Sequence, residues 1–229
     1  LVPFPVESAL SGVMKPVTEK DRVWYRRNFE LPRRWPGERV LLHFGAVDFE
    51  ATVWVNGKQI GQHRGGYDPF SFDVTDAIKR RGPNEIIVSV FDATDASPQS
   101  RGKQVRKPDQ GIFYTATTGI WQTPWLEPVS AVHLNSIKIT PDVDAGAVAI
   151  GLKASGASGE VTVKVAILDG LRKVNEGSIK VTADGPGFEI SPSIRLPVPK
   201  AKLWSPDSPF LYNVKLTVLH NGKEVDQVA

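Results

Sequence analysis

Punctuation limits this chain more than any other feature of its sequence. Short runs rich in β-branched and aromatic residues are bounded again and again by Gly, Pro, Asn or Asp: Val23–Leu31, Val40–Phe44, Glu50–Val55, Ser71–Val74, Ile86–Phe91 and Gly119–Val129. Helices of ordinary size need ~10–12 uninterrupted positions, and an interior Pro costs a helix ~3 kcal/mol. The pattern therefore predicts strands. In the third run Val53-Trp54-Val55 leads into Asn56-Gly57 and then Lys58-Gln59-Ile60. Asn-Gly accepts the two positive φ angles of a type I′ turn, which predicts a tight hairpin there. One helical candidate is brief: Thr75 or Asp76 capping a turn or two through Lys79, stopped by Gly82-Pro83. Gly65-Gly66 predicts a strained turn that directs Tyr67 and Phe70 inward.

From about Ser130 the texture changes. Aromatics thin out, and Val161-Thr162-Val163-Lys164-Val165-Ala166-Ile167 places its aliphatics on one face before Asp169-Gly170 turns the chain. Val214-Lys215-Leu216-Thr217-Val218 alternates likewise, followed by His220-Asn221-Gly222-Lys223, a second hairpin signal. One buried and one polar face suits a two-sheet sandwich of ~100 residues. A change of texture near Glu127–Ala131 divides the chain into 1–128 and 129–229. Trp24, Trp35, Trp54, Trp121 and Trp125 all precede it, leaving Trp204 after it. A β core in the first part is expected to bury most of them, at roughly 4–6 kcal/mol each before entropy. The sequence stops at Val225–Ala229, part-way through a returning strand, so the second sandwich reads as truncated at its carboxyl end.

Composition narrows the function. With 41% hydrophobic and 23% charged residues the chain is of the ordinary globular kind, and its formal charge of +3 is no basic field for nucleic acid. Cysteine is absent, which removes disulfides, thiolate metal sites and a cysteine nucleophile without fixing the compartment. His43, His63, His133 and His220 lack metal-ligand spacing, and neither a phosphate loop nor a Gly-x-Ser-x-Gly elbow occurs. No cofactor or metal is expected. No apolar run approaches the ~20 residues of a membrane span, and the Pro-rich start, Leu1–Val6, does not read as a signal peptide.

Several stretches together resemble the amino-terminal region of glycoside hydrolase family 2, which includes β-galactosidases, β-glucuronidases and β-mannosidases. They are Val23-Trp24-Tyr25-Arg26-Arg27-Asn28-Phe29-Glu30-Leu31-Pro32; Leu42 through Gly57, with its Val53-Trp54-Val55-Asn56-Gly57, continuing from Gly61 through Gly65-Gly66-Tyr67-Asp68-Pro69-Phe70 to Asp73-Val74-Thr75; Gly119-Ile120-Trp121-Gln122-Thr123-Pro124-Trp125-Leu126-Glu127; and Leu203-Trp204-Ser205-Pro206-Asp207 through Tyr212. Read physically, most of these residues are core and turns, with Trp204-Ser205-Pro206 a strand end carrying a docked aromatic. The resemblance implies an all-β chain: a jelly-roll β-sandwich of the galactose-binding kind, then an immunoglobulin-like β-sandwich, ahead of a (β/α)8 catalytic barrel that this sequence does not contain. It also implies a parent enzyme that hydrolyses β-glycosidic bonds with retention.

Retention needs two carboxyl groups ~5–5.5 Å apart, which the resemblance places in the barrel. Asn84-Glu85 and Asn175-Glu176 imitate the family's Asn-Glu dipeptide, but they adjoin Gly-Pro and Gly turns, so no catalytic residue is assigned here. The long connection from Ala93 to Thr118 is the place to look for function, because connections of that length are usually functional or disordered. In family members the equivalent loop offers an acidic residue to the sugar; the matching position is Phe113, which cannot do so. Arg101, Lys103, Gln104, Asp109 and Tyr114 are the candidates for a substrate rim. The expected partners are a carbohydrate (a β-glycoside or oligosaccharide) and the barrel, with a second copy of the chain as a further candidate; nucleic acid and membrane are not expected. The alternative from another class is a stand-alone carbohydrate-binding or adhesive module.

Overall fold

The computed structural model describes residues 1–108 and 111–229, with the side chains of 157, 158 and 183–188 left aside. The chain forms two compact units, Leu1–Pro128 and Val129–Ala229. Both are built from strands.

The first unit runs through β1 (Val23–Phe29), β2 (Arg39–Phe44), β3 (Val47–Asp48), β4 (Glu50–Val55), β5 (Lys58–Arg64), β6 (Phe70–Asp73), β7 (Asn84–Phe91), β8 (Gln104–Val105), β9 (Tyr114–Thr115), β10 (Gly119–Ile120) and β11 (Pro124–Val129). A four-stranded sheet in the order β1-β7-β4-β5 faces a three-stranded sheet in the order β11-β2-β6. Alternation builds the core between them. Val40, Leu42 and Phe44 of β2 point inward to meet Ala51, Val53 and Val55 of β4 and Val88 and Val90 of β7. β4 and β5 join at Asn56 (φ 50°) and Gly57 (φ 80°), both left-handed, as a type I′ turn requires.

Three local expectations need correction or narrowing. None of the six tryptophans is fully buried: Trp24, Trp125 and Trp204 are exposed and the other three half-buried. The core is mostly valine, and the indoles stand on outer faces. Residues 75–79 make one turn, with Ala77 and Ile78 N–H both donating to Val74 O. It stops because Asn84 takes the next backbone groups, its Oδ1 accepting from Lys79 N–H and its Nδ2 donating to Lys79 O. The described helix is instead a short 3-10 turn at Ala9–Ser11, capped by the Ser8 side chain. Finally, Phe70 is half-buried, but Tyr67 lies outside the core with much of its ring exposed.

The second unit comprises β12 (His133–Asp142), β13 (Ala147–Asp169), β14 (Arg172–Ile190), β15 (Ser193–Pro197), β16 (Asn213–His220) and β17 (Lys223–Val228). β13 is its spine. Residues before Gly156 pair with β12 and β15, and at Ala154 with Ile190 of β14, while those after Gly159 pair with β14 and β16. Gly156 (φ 80°) and Gly159 (φ 86°) supply left-handed backbone between the halves. Val148, Ile150, Leu152 and Ala154 thereby share one core with Val161, Val163, Val165, Ile167, Leu216 and Val218. Asn221-Gly222 is a second type I′ turn (φ 51° and 79°). The β13–β14 turn is centred on Gly170-Leu171, one residue later than Asp169-Gly170 suggests. Trp204 does not dock inward; with Leu203 and Leu211 it borders an exposed apolar depression of about 490 Å³.

Candidate functional site

The connection between β7 and β10 is not free of structure. β8 and β9 pair in parallel, Gln104 opposite Tyr114 and Val105 opposite Thr115. Its neck is closed by one carboxylate. Asp92, at the end of β7, is buried; its Oδ1 accepts from Thr94 N–H (2.7 Å) and Gln99 Nε2 (2.7 Å). Its Oδ2 accepts from the hydroxyls of Thr94 (3.0 Å) and Thr118 (2.8 Å). Thr94 and Thr118 bracket the connection, so Asp92 holds its two ends together and offsets part of the closure entropy of a long loop.

Gln104 fastens the middle. Its buried amide nitrogen donates to Asp48 Oδ2 on β3 (3.1 Å) and to the Tyr67 hydroxyl (3.3 Å). Its amide oxygen accepts from Thr117 N–H (2.7 Å) and Oγ1 (2.8 Å). All of its polar capacity faces the protein. Asp48 pays for this position with its ionisation: desolvation raises its pKa to about 7 against the opposing hydrogen bond from Gln104, and the charges of Asp92 and Glu7 add to the rise. Its Oδ1 has no partner. A Cβ on Gly66 would stand 2.6 Å from that oxygen, so glycine is what lets the chain pass. Trp121 Nε1 fixes the same place by donating to Gly66 O (2.8 Å). Glu7 accepts from Thr118 N–H (2.9 Å), and burial raises its pKa as well.

Over this buttress the loop presents an exposed surface. Lys103 is exposed, and its N–H donates to the exposed Tyr114 hydroxyl (3.3 Å). The Tyr114 and Tyr67 hydroxyls both lie beside Gly102, and Tyr67 meets Trp121 edge-on at 6.1 Å. Ile112 and Phe113 are exposed on the same segment. Arg101 turns back, with Nη1 donating to Gln104 O (3.0 Å). Arg106 is held by Asp95 (2.7 Å) and by Glu19. Of the five rim candidates, then, Lys103 and Tyr114 face outward, Arg101 is partly engaged, Gln104 is an internal staple, and Asp109 lies outside the described residues. Sequence reasoning missed Tyr67 and Asp48, whose importance depends on meeting Gln104 from strands remote in sequence.

Chemically, the surface offers hydroxyls, an ammonium group and aromatic faces. The carboxylates behind it, Asp48 and Asp92, are buried. Asn84 is consumed by Lys79, Gly82 and Asn56, while Glu85 pairs with Arg26 (2.5 Å) and Glu176 with Lys173 (2.7 Å). His43 lies between Ser71 Oγ (2.6 Å from Nδ1) and Glu127 Oε2 (2.9 Å from Nε2), stacked on Trp125 at 4.7 Å. This row resembles a hydrolase triad in composition. However, its ring nitrogens are reversed relative to one. Among the described residues no group of three or more His, Cys, Asp or Glu is placed to hold a metal.

Comparison with known proteins agrees with this architecture. Residues 2–117 match the family model for the sugar binding domain of glycosyl hydrolases family 2, and residues 132–229 match a further model of glycosyl hydrolases family 2. The chain is 28% identical to a β-galactosidase of Thermoanaerobacter pseudethanolicus, with 89% of this chain aligned to 27% of that protein. It is also 28% identical to a β-glucuronidase of Paenibacillus borealis, with 95% aligned to 37%. Among solved structures, Bacteroides uniformis β-glucuronidase 2, covalently bound to cyclophellitol-6-carboxylate aziridine, superposes with a TM-score of 0.73 at 28% identity, over 92% of this chain and 26% of that one. The chain thus spans roughly a quarter to a little over a third of the length of these relatives. With both sandwiches matched in order, it belongs to glycosyl hydrolases family 2, whose sugar-binding and immunoglobulin-like β-sandwich domains it comprises.

Proposed function

We propose that this chain is the non-catalytic front end of a retaining β-glycosidase, and that its Gln104-stapled loop walls the sugar site of a catalytic barrel. The observation that carries the reading is the division of labour in that loop. Asp92 and Gln104 use their polar groups for rigidity, with the Tyr67 hydroxyl joined to Gln104, while the Lys103 and Tyr114 side chains are left exposed. A preorganised rim of that kind serves a glycosidase because the ordering cost is met before substrate arrives. Retention is supported by the covalent aziridine adduct of the B. uniformis relative, the behaviour of an enzyme that works through a carboxylate nucleophile. The nucleophile and the acid/base would both come from the barrel.

The test uses the longer polypeptide that carries the barrel. Tyr114→Phe and Lys103→Ala should each lower kcat/KM by about tenfold, as expected for loss of a hydrogen bond to a polar substrate worth ~1.5 kcal/mol. The melting temperature should stay within a degree or two, since both side chains are exposed. Product analysed by NMR at early times should keep the β anomer. Unchanged kinetics in both variants would reduce the loop to a connection, and an inverted product would rule out retention.

A further inference from the structure

The outer face of the four-stranded sheet carries a second surface, remote in sequence from the loop. Register explains it. Trp24 of β1 lies opposite Ser89 of β7, Ser89 opposite Thr52 of β4, and Thr52 opposite Gln62 of β5; one row on, Arg26, Ile87, Trp54 and Gln59 follow. Ser89 is too small to hold the two indoles apart. Trp24 and Trp54 lean over β7 and stack, centroids 5.7 Å apart and 27° between planes, and Trp24 remains 60% exposed. Beside them is a depression of about 380 Å³ lined by Arg22, Glu50, Thr52, Gln62 and Arg64.

We propose that this face is a binding site for an oligosaccharide of pyranose units, its rings seated on the Trp24–Trp54 pair and its hydroxyls bonded in the adjoining depression. Three features favour a sugar over a protein partner. Stacked, solvent-facing indoles offer an apolar plane that matches the C–H face of a pyranose. The depression holds both donors and acceptors and more polar than apolar surface, whereas the buried centre of a protein interface is apolar and depleted in charge. Its polar groups are already oriented: Arg64 pairs with Glu50 (2.9 Å), Arg22 donates to Ser89 Oγ (3.3 Å), and Gln62 Nε2 to Thr52 Oγ1 (3.3 Å). Few of them need to be ordered on binding. The site goes beyond the proposed function, because it requires no barrel and makes no bond-breaking claim.

The experiment is calorimetric titration of the 229-residue chain with hexasaccharides of β-1,4-linked glucose, xylose and mannose and of α-1,4-linked galacturonate. At least one should bind with a dissociation constant below 1 mM. Trp24→Ala should weaken it tenfold or more and Gln62→Ala threefold or more, with Trp125→Ala, an exposed indole on the other sheet, leaving affinity unchanged. If Trp24→Ala impairs folding, Gln62→Ala and Thr52→Val decide the matter, since neither side chain is in the core. Absence of binding to all four sugars, or affinity undiminished in both Trp24→Ala and Gln62→Ala, would overturn the proposal. Loss of hydrolysis in the longer polypeptide with sugar binding intact would bear on the rim alone.

Discussion

Replacing Asp48 with Asn should make the first unit more stable at alkaline pH and remove much of its pH dependence. Asp48 is 2% exposed, one of its oxygens has no partner, and burial lifts its pKa from 3.8 to about 7. The folded state therefore binds a proton more tightly than the unfolded chain does. Stability is intact below pH 3.8, declines as pH rises through the interval, and is lowest above about 7, where a charge must stay buried. At 1.36 kcal/mol per tenfold change, the interval amounts to ~4 kcal/mol, a large part of the ~5–15 kcal/mol that holds a domain together. Glu7, also raised by burial, contributes with the same sign. His63, held below its usual pKa by burial, works the other way as pH falls through the imidazole range. Both remain in the variant, so the difference between the two proteins isolates Asp48. Asparagine has the shape of the protonated acid and keeps an oxygen for Gln104 Nε2. Urea unfolding followed by tryptophan fluorescence, which reports mainly on the first unit, should show wild type losing stability between pH 5 and pH 8. Asp48→Asn should change less and exceed wild type at pH 8 by a few kcal/mol. Parallel pH profiles, or a variant weaker than wild type at pH 8, would refute the reasoning.

Other perturbations test the frame. Gly57→Val should cost roughly 1–2 kcal/mol, read as a lower urea midpoint, purely from backbone strain, because φ is 80° and no atom crowds the site. Gly119→Ala should cost more, about 2–4 kcal/mol by the same assay, since φ is 101° and the new methyl would run into the Tyr25 hydroxyl. Gln104→Leu strands Asp48 and Thr117 at once and should remove about 2–4 kcal/mol. It should also speed proteolysis at Lys103, which adjoins the staple.

Legibility followed range. The two Asn-Gly turns could be read because their conformation depends on the two residues themselves, and the valine ladders because period-2 burial is a local pattern. The contacts of the tryptophans could not. Trp54 faces out because Val53 and Val55 on either side face in, but its stacking on Trp24 across β7 arises only when the strands are paired. The short turn at 75–79 had a plausible cap, yet its length was decided by Asn84, which takes the backbone groups of Lys79. In the loop, Lys103 and Tyr114 are two of the five rim candidates, and the folded chain leaves both exposed. The role of Gln104 was hidden because Asp48, Tyr67 and Thr117 reach it only in the folded chain.

The central claim is that these two sandwiches shape and recognise sugar while bond cleavage resides elsewhere. It is tested most directly by assaying the purified 229-residue chain with nitrophenyl β-galactoside, β-glucuronide and β-mannoside at high protein concentration. No turnover above the uncatalysed rate is expected, with the longer polypeptide active on at least one of them. Turnover by the isolated chain that disappears in Glu85→Gln would contradict it.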